Sequence, residues 1–410
     1  MELSEVCKLI VDCEHKTAPT QETGHPSIRT PNIGRGRFIL EGVNRVSEET
    51  YQLWTRRAVP KPGDLIMARE APVGNVAMIP PGLHPCLGQR TLLIRPDRSK
   101  VEPSFLNYFL NGPQGQGLIH AKTNGATVAH LNMKDVRTME LPDLPQLSAQ
   151  RRIAGILSAY DELVENSQRR IRILEAMARA LYREWFVHFR FPGHKKLPRI
   201  ASPLGDIPKG WEVKTIADLC ESVSYGYTAS ASREEVGPKF LRITDIVPDQ
   251  IDWAEVPFCQ IPEDKAPKYR LQLGDIVVAR TGATTGYAKR LNKRHPATVF
   301  ASYLVRARVK VGVSNRMLGI LMESADYKQF ITTNLGGAAQ PQANAVVLTS
   351  MRLAAPPASL AEKFDRLAEP ILDEAELLAV KIQNLRRTRD LLLPRLLSGQ
   401  VEPAAANTKE

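Results

Sequence analysis

The sequence has no apolar run of membrane-spanning length. No stretch approaches eighteen uninterrupted apolar residues, so no transmembrane helix is expected. Met1 leads into Glu2, Ser4 and Glu5 where a secretory leader would carry basic and then apolar residues, so no signal peptide is expected either. Cysteine is scarce. Cys7, Cys13, Cys86, Cys220 and Cys259 are odd in number, widely scattered and free of any C-x-x-C pair. That spacing fits neither a disulfide framework nor a structural zinc site, and it points to a reducing, cytoplasmic setting. Catalytic constellations are missing too. There is no G-x-x-x-x-G-K-[ST] phosphate loop, H-E-x-x-H pair, G-x-S-x-G elbow or N/D-P-P-Y/F tetrapeptide. The histidines are dispersed, and His15 and His25 have no suitably spaced Cys or carboxylate partner. No metal site and no cofactor of its own are expected for this chain, and the weight moves from catalysis to binding.

What remains is a basic chain of ordinary globular composition. Its 410 residues are 43% hydrophobic and 24% charged, enough for two or three domains. Lys and Arg total 55 against 44 Asp and Glu, a net charge of +11 that favours an anionic partner such as nucleic acid. No tail holds the excess: residues 146–200 carry 11 basic and 5 acidic side chains, and residues 358–410 carry 8 and 9. The sharpest asymmetry lies between Arg270 and Arg316, where ten basic residues face a single acid, Asp275. That window reads either as the solvated face of a basic protein or as a surface that neutralises phosphates.

The chain is also written twice. Pro62-Gly63-Asp64-Leu65-Ile66-Met67-Ala68-Arg69 recurs as Leu273-Gly274-Asp275-Ile276-Val277-Val278-Ala279-Arg280. Asn124-Gly125-Ala126, leading to Asn132, recurs around Gly337-Ala338, leading to Asn344. Met139 and Pro145 match Met351 and Pro357, and Ser4–Cys7 parallels Ala217–Cys220. Four matches in one order, at an offset near 212, indicate a duplication. Each half opens with short β-rich runs and glycine turns: Asp64–Ala68 and Thr91–Arg95, then Asp275–Ala279 and Thr298–Val305. A polar glycine-containing loop and a proline-punctuated stretch follow, and a long helical pattern closes each half. Asp64 and Asp275 each follow a glycine at a strand start, which fits a turn or capping role better than acid–base work. Cys7 and Cys220 sit in matching apolar surroundings and read as core residues.

The first helical pattern has a plausible N-cap at Ser148. It places Ile153, Leu157, Tyr160, Val164, Ser167, Ile171, Leu174, Ala178, Leu181 and Trp185 at alternating steps of four and three, the coiled-coil period. Pro192-Gly193 stops it. From Ile153 to Trp185 it spans roughly 50 Å. The second pattern runs through Leu360, Phe364, Leu367, Ile371, Ala375, Leu378, Ile382, Leu385 and Leu392, with a stutter expected at Ala375. Pro370 is expected to kink this helix or mark its true start, and Pro394 to mark fraying. Neither narrow stripe can bury itself alone, so the two helices are expected to pair and act as a spacer between two similar modules. Paired modules of this kind suit the reading of two separated half-sites on DNA.

Beyond pattern, particular residues are familiar. The run from Leu141-Pro-Asp-Leu-Pro through Gln150-Arg-Arg-Ile-Ala-Gly-Ile-Leu157, Asp161-Glu-Leu-Val-Glu-Asn and Leu174–Tyr182 to Trp185-Phe186 closely resembles the central conserved region of type I restriction–modification specificity subunits. Phe191-Pro-Gly193 and Leu204-Gly-Asp-Ile-Pro-Lys-Gly-Trp-Glu212 resemble that family's entry into its second target-recognition domain, and Gly226-Tyr-Thr-Ala-Ser is a further family-like segment. The resemblance covers nearly the whole chain. It implies an α/β fold: two globular target-recognition domains (1–145 and 193–357), joined by two conserved helices (146–192 and 358–400) in an antiparallel coiled coil, with a flexible tail at 401–410. It also implies a non-catalytic subunit that binds double-stranded DNA, each domain taking half of a bipartite target, and that docks two modification (methyltransferase) subunits. Restriction (translocase/endonuclease) subunits would join the same complex. S-adenosylmethionine and ATP with magnesium would belong to those partners.

The expected DNA contacts are Arg69, Arg90, Lys122 and Asn124 in the first domain, and Arg242, Arg280, Thr281, Lys289, Arg290, Arg294 and Gln340 in the second. Leu174, Leu181, Trp185, Phe364, Leu378 and Leu385 are the docking candidates, with a place in the helix seam as their other reading. Two alternatives remain open at this point: a DNA methyltransferase or nuclease with a cryptic site, and a coiled-coil adaptor that ignores DNA.

Overall fold

A computed structural model describes residues 1–124, 129–335 and 342–401. The chain forms two compact units, Met1–Val164 with Asn384–Glu410, and Glu165–Gln383.

The first unit is built on a four-stranded antiparallel sheet of β1 (Cys7–Asp12), β2 (Leu65–Ala68), β3 (Val76–Met78) and β4 (Thr91–Pro96), in the order β1-β4-β2-β3. Both faces of β2 are buried, so its residues alternate between two cores instead of between core and water. Leu65 and Met67 join Leu92 and Ile94 against the helices Pro103–Asn111 and Pro113–Ala121 and against Ile153, Leu157 and Leu396. Ile66 and Ala68 join Leu93, Ala77 and Ile28 on the other side.

The second unit repeats this plan with β5 (Cys220–Tyr225), β6 (Ile276–Ala279), β7 (Ala288–Arg290) and β8 (Leu304–Val309), in the order β5-β8-β6-β7. The duplication extends to register. Leu65 faces Ile94 on β4 as Ile276 faces Ala307 on β8. The edge strands carry the same irregularity, between Cys7 and Leu9 in β1 and between Cys220 and Ser222 in β5. The apolar run expected as one strand over Thr298–Val305 is two. Thr298–Phe300 pairs in parallel with Lys239–Leu241, and β8 begins at Leu304 after a turn at Ser302-Tyr303.

Two long helices cross both units. The first, Leu147–Tyr182, begins one residue before Ser148 and runs on as a π-helical turn over Arg183–Val187. The chain then reverses through Phe189 (φ 57°) and Gly193 (φ 89°). Its seam is the expected one: Ile153, Leu157, Val164, Ser167, Ile171, Ala178 and Trp185 are buried. Gln150, 1% exposed, ties its start to the globular part, accepting from the Glu102 amide at 2.8 Å and donating to the Pro145 carbonyl at 2.8 Å.

The second long helix is Ala358–Leu397. It is helical on both sides of Pro370, which therefore does not mark its start, and it ends at Leu397, three residues past Pro394. An external proline forfeits one hydrogen bond, and the helix persists because burial of its stripe outweighs that loss. Leu367 is 49% exposed and Ala368 is fully buried in its place. The four-residue step therefore comes after Phe364, earlier than the stutter read at Ala375.

The helices pair within each unit. In the first, Arg389 pairs with Asp161, which also accepts from the Tyr108 hydroxyl at 2.7 Å, while Leu396 packs with Ile153 and Leu157. In the second, Arg170 bonds Glu374 at 2.8 Å and the Trp185 and Phe364 rings lie 6.0 Å apart. In both, later residues of one helix meet earlier residues of the other, so the pairing is antiparallel.

Candidate nucleic-acid interface

The repeat places one small lattice at the end of each sheet. Past β2, the Arg69 amide donates to the Arg90 carbonyl at 2.8 Å, and the Leu131 amide donates to the Arg69 carbonyl at 3.0 Å. Past β6, Arg280 donates to Tyr303 at 3.0 Å and Ala343 donates to Arg280 at 2.9 Å. The start of the same strands is bracketed identically. Asp64 takes the Arg95 Nε and Nη2 at 2.9 and 2.7 Å and the Lys61 amide at 2.9 Å. Asp275 takes the Arg308 Nε and Nη2 at 2.9 and 2.8 Å and the Gln272 amide at 2.8 Å. Both carboxylates are buried and occupied, and they fix the turn to the neighbouring strand. They therefore pin the starts of β2 and β6, at the opposite end of each strand from the Arg69 and Arg280 loops.

In the first unit the loops bring His15, Arg69, Glu70, Gln89 and Arg90 around a recess of about 320 Å³. Arg69 Nε is spent on the Leu131 carbonyl at 2.8 Å, and Gln89 donates to the His15 carbonyl at 3.3 Å. Arg90 is exposed, with Nε 3.0 Å from Glu70 Oε2. Lys122 caps the helix Pro113–Ala121 and faces solvent. Asn124 exchanges backbone bonds with His130 and donates its amide to Asp135 at 3.1 Å.

In the second unit the matching place is aromatic. The Arg280 guanidinium lies over the Tyr225 ring at 4.8 Å, and the Tyr225 hydroxyl accepts from the Ala345 amide at 3.0 Å. Arg280 Nε is buried without a hydrogen-bond partner among the described residues. Thr281 bridges to Gln342, and Tyr303 is 61% exposed. Gln340 lies outside the described residues.

Much of the basic window is engaged in ion pairs and hydrogen bonds within the second unit. Arg290 pairs with Glu376 at 2.9 Å, both side chains about one-tenth exposed. Arg294 lies 3.8 Å from the same carboxylate, and Arg316 pairs with Glu369 at 2.8 Å. Lys293 pairs with Asp373, Lys289 donates to the Asp249 carbonyl at 2.8 Å, and Arg306 and Arg308 turn to the Arg270 carbonyl and Asp275. Much of the positive charge is thus consumed inside the second unit, largely by the acidic face of the second long helix. Arg290 and Arg294 line, with Glu175, Gln250, Tyr287 and Glu376, a cavity of about 470 Å³. Burial raises the carboxyl groups of Glu175 and Glu376 above their usual range, although neighbouring arginines pull the other way. Arg242 is held by Asp245 in a two-pronged contact at the start of the helix Ile243–Ile246.

Among the docking candidates, Trp185, Phe364 and Leu378 are buried. Leu181 packs on the second unit's core with Phe186 and Phe364, while Leu174 and Leu385 are half-buried on their helices. His15, Glu70, Gln89, Tyr225 and Tyr303 stand beside these residues and were not among the expected contacts. The repeat's offset of about 212 carries Arg90 to Ser302, and strand register makes the neighbouring Tyr303 its equivalent. Among the described residues no group of three or more His, Cys, Asp or Glu is placed to hold a metal ion, and no helix is long and apolar enough to cross a membrane.

Known proteins agree with this architecture. The family model described as type I restriction modification DNA specificity domain matches residues 1–176. The specificity subunit of type I restriction enzyme MjaIX from Methanocaldococcus jannaschii is 24% identical over 378 residues, 89% of this chain and 83% of that protein. The HindI specificity subunit from Haemophilus influenzae is 21% identical over 452 residues, 91% of this chain and 94% of that protein. The crystal structure of a type I restriction–modification S subunit from M. genitalium shares the fold, with a TM-score of 0.61, 13% identity, and coverage of 97% of this chain and 95% of that one. In its duplicated fold and antiparallel helix pair, the chain is similar to type I restriction–modification specificity subunits.

Proposed function

We propose that this chain supplies DNA sequence specificity to a type I restriction–modification complex and carries no catalytic group of its own. Each unit binds one half of a bipartite duplex target through the loops beyond β2 or β6. The observation that carries this reading is the repeated lattice: one framework, fixed by Asp64–Arg95 and Asp275–Arg308, presents different side chains in each unit. A rigid frame with variable loop residues is what selective reading of two different base sequences requires. In the first unit Arg69, Arg90, Lys122 and Asn124 are the contact set. In the second, Arg280 and Thr281 stand at the corresponding loop, and Gln340, outside the described residues, completes the proposed set. Arg242 and Lys289 fit a supporting role, since Asp245 and the Asp249 carbonyl already engage them.

The methyltransferase and restriction subunits of the complex are the protein partners. S-adenosylmethionine, ATP and magnesium belong to those partners, and the reaction takes place in the cytoplasm. The modification subunits dock on the outer faces of the helix pair, whose inner faces are filled by Leu157, Val164, Ala178 and Leu378.

The test is selection from a pool of duplexes with randomised bases by the full chain co-expressed with a type I modification subunit. A two-part motif is expected. Affinity should fall with salt at a log–log slope of about 0.9 per phosphate neutralised. Binding that is absent, or present without any base preference, would remove the reading.

A further inference from the structure

The recess in the first unit is chemically unlike its counterpart, and the difference centres on Arg90. Three non-glycine residues have positive φ among the described residues, and two of them, Ala71 (26°) and Arg90 (64°), flank this recess in sequence. A left-handed backbone at a residue as large as arginine costs stability, and such strain persists where geometry serves a function. The side chain does little for the fold: it is 62% exposed and meets one partner, Glu70, through Nε at 3.0 Å. Its Nη atoms have no hydrogen bond among the described residues. A guanidinium braced at Nε keeps its end-on fork free, and that fork matches the O6 and N7 acceptors on the major-groove edge of guanine. Glu70 also holds the cation in place before DNA arrives, so less side-chain freedom is lost on contact. At the corresponding positions the second unit carries Thr281, Ser302 and Tyr303, with no fork and no carboxylate brace.

We propose that Arg90, oriented by Glu70, reads a guanine in the half-target bound by the first unit, and that the second unit imposes no such requirement at the equivalent step. The inference rests on the DNA-recognition reading above. Arg90 is the reading residue, and Glu70 is a positioning residue acting through it.

The test compares motifs selected from randomised duplexes by the full chain, co-expressed with a modification subunit, as wild type and as Arg90→Ala, Arg90→Gly, Glu70→Gln and Tyr303→Ala. Wild type should select a motif with an invariant G·C pair in one half. Arg90→Ala should lose that one preference and bind the original sequence roughly 5- to 150-fold more weakly, the range of one bidentate base contact. Arg90→Gly should lose the same preference while its melting temperature holds or rises, because glycine accepts the left-handed backbone. Glu70→Gln should weaken the preference at that pair alone, and Tyr303→Ala should leave it intact. An unchanged motif in Arg90→Ala and Arg90→Gly would overturn the inference while leaving sequence-specific binding standing. So would loss of the entire motif together with a lowered melting temperature, since that marks a structural role. A wild-type chain that selects no motif would instead bring down the functional reading on which the inference rests.

Discussion

At the scale of single residues, the charges that looked most functional in the sequence are those most committed inside the fold. Asp275, 2% exposed, accepts two arginine hydrogen bonds and a backbone amide, so its removal leaves Arg308 and the Gln272 amide without their partner. Breaking a buried pair by removing one member costs about 3–5 kcal/mol. Asp275→Ala should therefore destabilise the protein by roughly that amount, read from the denaturant midpoint, and Asp64→Ala should do the same for the first unit. Cysteine is inert for a similar reason. Burial pushes the Cys7 and Cys86 thiols up to about 12 and those of Cys220 and Cys259 to about 11. Iodoacetamide at pH 8 should label none of these four before unfolding, because the thiolate is the reactive form. The expectation that Cys7 and Cys220 are core residues came from their apolar neighbours, which is the property that sets their chemistry. The arginines were harder to place. A window of ten basic residues shows charge, but a sequence does not show that Glu369, Asp373 and Glu376, more than fifty residues away, turn towards them.

At the scale of elements, periodicity was informative wherever one face decides burial. The four-three repeat of the first long helix located its buried stripe because a coiled-coil seam has one solution per period. The short strands were less legible. Both faces of Leu65–Ala68 and of Ile276–Ala279 are covered, so no polar alternation marks their ends, and the turn at Ser302-Tyr303 dividing the Thr298–Val305 run carries no glycine or proline. Pro370 does not mark the start of the second long helix. A proline in isolation costs a helix interior about 3 kcal/mol, but an exposed position with the opposite face buried tolerates it. Pro370 is exposed and its neighbour Ala368 is fully buried. Pro370→Ala should restore one backbone hydrogen bond and raise stability by about 1–3 kcal/mol, visible as a higher thermal midpoint with no change in helical content near that site. Leu157→Ala, by contrast, opens a cavity in a fully buried seam position and should cost about 2–5 kcal/mol.

At the scale of the whole molecule, duplication was the most legible feature, since it survives as residue identity at a nearly constant offset and recurs as strand order, register and an edge-strand irregularity in both units. The loops proposed to read DNA were the least legible, because the offset carries the frame and leaves the loop residues free to differ. Net charge adds a separate distinction, between positive charge that meets DNA and positive charge that holds the second unit together. Arg290 belongs to the second class: it and Glu376 are almost wholly buried, and their separation is 2.9 Å. Arg290→Ala should cost about 3–5 kcal/mol of folding stability, since Glu376 is left with only the more distant Arg294. The slope of log affinity against log salt should not change, because no phosphate contact is lost. The pH dependence separates the partners further. Burial raises the Glu376 carboxyl, so its favourable contribution is complete below its unfolded value near 4.5 and erodes as pH rises through the folded value. The stability advantage of wild type over Glu376→Gln should therefore shrink as pH is raised from about 4.5, a trend measured by denaturant titration at several pH values. If Arg290→Ala instead flattened the salt slope of DNA binding and spared the melting temperature, the window between Arg270 and Arg316 would be a phosphate-binding surface after all.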